Sequence, residues 1–160
     1  MIENLGTIDV QSILDCYHKL EPNIIWSDYG NKKQTSLQYK EGDNVWLSSS
    51  GKSKGDELSY DQLNPFFKDT VFEEIIKTYN LKRTRLMWVS PQSCYSMHVD
   101  STPRIHVPMI TYPDSFFVFK HRPPIHLSTG NVYKVETRLA HTFMNCSSHS
   151  RLHLIGAVEK

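Results

Sequence analysis

The sequence predicts a mainly β protein in which an antiparallel sandwich or barrel follows two helices. Three observations predict it. From residue 83 onward the apolar residues recur with period two. Turn-forming clusters such as Ser101-Thr102-Pro103 and Pro113-Asp114 divide that stretch into about seven short segments. Ahead of it lie two amphipathic helical stretches, and none follows. A length of 160 residues fits one domain, with 1–82 as a supporting region and 83–160 as the core.

Residues 9–20 read as the first helix, because Val10, Ile13, Leu14 and Tyr17 fall on one face behind Asp9 as N-cap, and Pro22 stops it. Residues 35–50 read as a hairpin, with Leu37 and Tyr39 facing Val45 and Leu47 across Glu41-Gly42-Asp43-Asn44. Ser48 through Gly55 is a loop. Residues 70–79 form the second helix. Thr70 and Glu73 make a capping box there, and Phe72, Ile75, Ile76 and Tyr79 make the apolar face. The strands that follow are RTRLMWVS, CYSMHVD, RIHVPMIT, SFFVFKH, NVYKVE, LAHTFMN and RLHLIGAV.

Composition narrows the function classes. The chain carries 18 basic and 17 acidic side chains, a net charge of +1, which disfavours nucleic acid and membrane surfaces as partners. No apolar run is long enough to span a bilayer. The first residues lack the basic start and apolar run of a signal peptide, so a cytoplasmic location is expected. Cys16, Cys94 and Cys146 form no C-x-x-C pair and are expected as reduced thiols, with Cys94 and Cys146 buried.

Of the eight histidines, only His18 precedes His98, so imidazole chemistry belongs to the second half. In a strand over 94–100, Tyr95, Met97 and Val99 point one way while Ser96, His98 and Asp100 point the other. A His and an Asp two apart on one face supply two of the three ligands of a two-His-one-carboxylate site, the set typical of non-haem Fe(II) oxygenases. His141 is the best candidate for the third. In the last strand Arg151 and His153 share a face opposite Leu152 and Leu154. An inward guanidinium requires an anion, and a carboxylate bound through two parallel hydrogen bonds satisfies it. Arg104 and His106 repeat the spacing just after Asp100. The alternatives are plainer: a surface link between His98 and Asp100, an ion pair of Arg151 with Asp100 or Glu136, and a supporting role for Arg104 and His106 at the barrel mouth.

Together, HVD at 98–100, RIHVP at 104–108 and H-x3-N-x5-R-x-H-L at 141–154 resemble the aspartyl/asparaginyl β-hydroxylase-like branch of the 2-oxoglutarate- and Fe(II)-dependent oxygenases. Some free-proline hydroxylases belong to that branch. The resemblance covers 83–158. It implies a double-stranded β-helix, a cupin-like jelly roll with the N-terminal helices packed on it, using Fe(II), 2-oxoglutarate and O2 to hydroxylate a small-molecule or peptidyl substrate. By position, His98, Asp100 and His141 resemble the iron ligands. Arg151 resembles the arginine on the distal carboxylate of 2-oxoglutarate, and Arg104 and His106 resemble polar residues of the cosubstrate or substrate pocket. The chain departs from founding members of the branch, which lack the Asp ligand. The rival class is a metal-binding cupin-like sensor or ligand-binding module without oxygenase activity. Arg151 discriminates, because only the oxygenase requires it.

Overall fold

A computed structural model describes residues 1–160. The strands are β1 (Ile2–Thr7), β2 (Ser27–Asp28), β3 (Lys32–Ser36), β4 (Gln38–Tyr39), β5 (Gln62–Leu63), β6 (Lys82–Val89), β7 (Ser93–Cys94), β8 (Arg104–Ile110), β9 (Ser115–Phe119), β10 (Asn131–Val135), β11 (His141–Asn145) and β12 (Arg151–Ala157). Two helices, α1 (Val10–Leu20) and α2 (Val71–Thr78), precede β6. A seven-stranded sheet runs β1-β10-β8-β12-β6-β3-β2, a three-stranded sheet runs β7-β11-β9, and β4 pairs with β5. All these pairings are antiparallel. The architecture is the expected mainly β jelly roll of cupin type.

The alternation in β12 explains the layers. Leu152 and Leu154 face one way, into a cluster that holds Ile13 and Tyr17 of α1, Phe72, Ile75 and Ile76 of α2, and Leu86 and Val107 of the large sheet. Ile155 faces the other way, with Met87 and Val89, against Phe117, Phe119 and Phe143 of the small sheet. The helices thus cover one face of the large sheet, and the small sheet covers the other. Burying one such apolar side chain contributes about 1.5–3 kcal/mol. β12 is central and buried along its whole length. Its register against β8 slips between Leu152 and His153, beside Pro108, which has no N–H for the ladder.

Several local expectations hold. Asp9 caps α1 by accepting from the Ser12 N–H at 3.1 Å, and Pro22 ends it inside a tight turn. Other expectations fail. The hairpin over 35–50 does not form: β4 pairs with Gln62–Leu63, and β3 pairs with β2 and β6. Residues 45–49 are turns, held by the Asn64 amide, which donates to the carbonyls of Ser36 and Val45 at 3.1 and 3.3 Å. The capping box of α2 is also absent. The Thr70 hydroxyl donates to the Phe67 carbonyl at 2.5 Å, and Glu73 pairs with Lys77 at 3.1 Å. β1 was not foreseen, and Cys94 and Cys146 are exposed rather than buried. No helix is long and apolar enough to cross a membrane.

Candidate functional site

The space between the two sheets is lined by Met87, Phe117, Phe143 and Ile155 and by a concentration of polar groups: Arg85, Tyr95, His98, Asp100, Arg104, His106, His141 and Arg151. One local irregularity arranges them. Tyr95 hydrogen-bonds Phe143 through its N–H at 3.1 Å, and His98 exchanges two backbone hydrogen bonds of 2.9 Å with His141. Tyr95 and His98 are three positions apart, but their partners Phe143 and His141 are two apart, so the segment after β7 carries one extra residue. An extra residue reverses the alternation. Tyr95, expected on the face opposite His98, therefore lines the same cavity, while Met97 and Val99 lie exposed.

His98 and His141 stand directly opposite in an antiparallel pair, which puts both rings on one face; their centroids are 4.4 Å apart. Asp100 joins them, with its N–H on the Thr137 carbonyl at 2.9 Å. One ligand atom from each of the three lies within 4.8 Å of the others. Both Nδ1 atoms face backbone carbonyls, His98 on Ser96 at 2.9 Å and His141 on Leu139 at 2.8 Å. A carbonyl only accepts, so each Nδ1 carries a hydrogen and Nε2 is the atom left to present a lone pair to a metal. The His141 Nε2 lies 3.7 Å from Asp100, and its ring stacks on Phe117 at 5.1 Å. Burial holds the His141 imidazole below its ordinary pKa; the Leu139 carbonyl opposes the shift and His98 adds to it. Two imidazoles with Nε2 turned to one point and a carboxylate are a donor set that suits a divalent transition metal.

Arg104 and Arg151 differ in surroundings. Arg104 is neutralised: its two terminal nitrogens reach Glu57 at 2.8 and 2.6 Å, and it lies 3.4 Å from Asp100. Glu57 also pairs with Arg83 at 2.6 Å and accepts from Ser101 and Thr102. Arg104, expected at the cosubstrate or substrate pocket, lines the cavity and ties Glu57 to the Asp100 segment. Glu57 escaped the sequence reading because it sits in a polar stretch 47 residues before Arg104. Arg151 has no such partner. It is 1% exposed, its guanidinium lies 3.5 Å over the Phe143 ring, and its Nε and Nη1 are buried without hydrogen-bond partners. Neither Asp100 nor Glu136 pairs with it; Glu136 pairs with Arg138. Burial draws its pKa down to about 10. His106 and His153 are buried beside it, Nδ1 to Nδ1 at 3.4 Å, both held well below 6.5 by burial first and by Arg151 next.

No family model matches the chain, and no curated protein sequence matches it significantly. Solved structures do. The non-haem alpha-ketoglutarate-dependent epimerase SnoN of nogalamycin biosynthesis is 10% identical with a TM-score of 0.62, over 97% of this chain and 76% of that one. HygX from Streptomyces hygroscopicus, with nickel and 2-oxoglutarate bound, is 11% identical with a TM-score of 0.56, over 97% and 81%. A prolyl-4-hydroxylase from Pseudomonas putida is 11% identical with a TM-score of 0.52, over 99% and 92%. The shared feature is the fold. At these identities the comparison extends to architecture, and the chemistry rests on the residues of this chain.

Proposed function

We propose that this protein is a 2-oxoglutarate- and Fe(II)-dependent oxygenase. His98, Asp100 and His141 hold the metal, and Arg151 pairs with the distal carboxylate of 2-oxoglutarate. The observation that carries the reading is the guanidinium buried without a counter-ion in the same cavity as three convergent metal donors. A charged group left that way is costly unless an anion completes it. A metal-binding module needs the donors but gives no reason to keep the arginine. The fold likeness to 2-oxoglutarate-binding structures supports the same reading.

Iron bound there supplies the redox chemistry that couples decarboxylation of 2-oxoglutarate by O2 to oxidation of a substrate C–H bond. The chain's own residues supply geometry. The Ser96 and Leu139 carbonyls fix the tautomers of the two imidazoles, and Phe117 backs His141. Phe143 packs under the Arg151 fork, and Met87, Phe117 and Ile155 supply the apolar part of the cavity wall. Arg104, anchored by Glu57, aligns Asp100 without competing for the cosubstrate. By resemblance to the aspartyl/asparaginyl branch, the reaction is hydroxylation of an amino-acid or peptidyl side chain.

The test is anaerobic titration of Fe(II) and then 2-oxoglutarate, followed by admission of air. A weak visible charge-transfer band and succinate release are expected, and His141→Ala should abolish both. A protein that binds Fe(II) but takes up no 2-oxoglutarate would refute the oxygenase and restore the metal-binding module.

A further inference from the structure

The edge of the large sheet brings more positive charge to the same site. Across β3 and β6, Lys32 stands opposite Val89, Gln34 opposite Met87 and Ser36 opposite Arg85. Directly opposite residues share a face, so Lys32 and Arg85 lie on the Met87 side of the sheet, the side that also carries Arg151 opposite Val89. Both line a cleft of about 830 Å3 that opens beside the candidate ligands and shares Arg85, Met87, Tyr95, His98 and Asp100 with the inner cavity. That volume is in the range of small-molecule sites.

The charges lining the cleft do not cancel. Its acids are Glu57 and Asp100. Glu57 is saturated by Arg83 and Arg104, and Asp100 is a candidate ligand. Neither Lys32 nor Arg85 has a carboxylate at salt-bridge distance. Arg85 donates through Nη1 to the Ser49 carbonyl at 3.1 Å, but its Nε is buried without a partner. The Lys32 ammonium lies 4.3 Å from the centre of the Tyr95 ring. Burial lowers the pKa of Lys32 and Arg85 adds to the effect; burial draws Arg85 down to about 9, with repulsion from Arg83 and Arg104. Solvated surface cations show neither feature. Mutually repelling, partly desolvated cations on one wall are the complement of an anion.

We propose that the substrate is a small anionic molecule whose carboxylate or phosphate group is held by Arg85 and Lys32, with its remainder directed at His98, Asp100 and His141. This rests on the reading above, in which 2-oxoglutarate occupies Arg151. The polar group then fixes orientation, while Tyr95 and Met87 bound the path to the metal donors.

The experiment measures thermal stability of the metal-free protein with free L-amino acids, with the corresponding carboxamides, and with inorganic phosphate. Stabilisation by the acids identifies a carboxylate subsite, and stabilisation by phosphate alone identifies a phosphate subsite. The carboxamides should have no effect. Lys32→Gln and Arg85→Gln should each weaken the response roughly tenfold or more, the loss expected for one charge-assisted hydrogen bond. Lys32→Gln serves as the control against misfolding, because Lys32 makes no buried hydrogen bond through its side chain. The response should survive Arg151→Met. Equal effects of acids and carboxamides, no effect of any anion, or a response abolished only by Arg151→Met would each overturn the proposal. No step here needs metal or 2-oxoglutarate, so failure to bind 2-oxoglutarate would refute the oxygenase reading separately.

Discussion

Replacing Arg151 by methionine should make the ligand-free protein more stable and the cosubstrate complex far weaker. Burial draws the guanidinium pKa from 12.5 to about 10. At about 1.4 kcal/mol per pH unit, that drop is a penalty of about 3 kcal/mol on the charged form. The contact with Phe143, 3.5 Å from the guanidinium carbon to the ring centre, offsets about 1–2 kcal/mol of it. Methionine fills similar space and carries no charge, so the net gain is about 1–2 kcal/mol. For a chain of this length that raises Tm by roughly 2–8 °C. Losing a buried charge-assisted pair costs about 2–5 kcal/mol in binding, which raises the Kd for 2-oxoglutarate roughly 30-fold to several thousand-fold. The assay pairs a thermal melt of metal-free protein with calorimetric titration of 2-oxoglutarate into anaerobic Fe(II)-loaded protein. Arg151→Lys should recover only part of the affinity, because an ammonium lacks the planar fork. A methionine variant with lower Tm and unchanged affinity would refute the reasoning, since the arginine would then be structural.

Glu57→Gln should destabilise the fold by about 3–5 kcal/mol in urea titration, because it leaves Arg83 and Arg104 buried around a neutral amide. The same carboxylate gives the fold an acid limit. Burial opposes ionisation, but Arg104, Thr102 and Arg83 outweigh it and hold the pKa far below its ordinary 4.5. A depressed carboxylate pKa means the unfolded state binds more protons, so this stability is complete above 4.5 and is lost as the pH falls below it; denaturant midpoints across acidic pH measure the loss. His106 and His153 act at higher pH. Their folded pKa values lie well below 6.5, so the unfolded chain takes up protons that the fold refuses. Stability should therefore rise as pH increases through 6.5 and level off above it. Replacing both by Phe should flatten that part of the profile in melts between about pH 5 and 8.

The second half of the chain was the more legible because both faces of its sheets follow simple alternation. β6, β8, β9, β10, β11 and β12 all lie within stretches where period two is visible. The first half was harder for identifiable reasons. β1 is an edge strand exposed along nearly all its length, so it has no buried face to leave a pattern. The apolar residues over 35–50 satisfy a hairpin pattern locally, but β6 takes β3 as its partner and Asn64 captures the carbonyls of Ser36 and Val45. At the site, strand spacing together with the family resemblance points to His98, Asp100, His141, Arg104, His106 and Arg151, and the fold brings them to one cavity. The difference between the paired Arg104 and the unpaired Arg151 depends on Glu57, which only tertiary structure delivers. Strict alternation puts Tyr95 on the face opposite His98, because a single inserted residue leaves no mark in composition.

The two sheets carry different chemistry. The candidate donors His98 and His141 sit on β11 and on the segment that follows β7, beside the small sheet, whereas Arg85, Arg151 and Lys32 stand on the large one. No backbone ladder joins the two across the cavity. Side chains on β3 and the outer part of β6 can therefore be exchanged without redrawing the hydrogen bonds that fix His98 and His141. A lineage built on this scaffold can vary one wall of the cavity independently of the other. The charge of the cleft would diverge through a few positions on β3 and β6, while the His98–His141 pairing on the opposite wall stayed as it was.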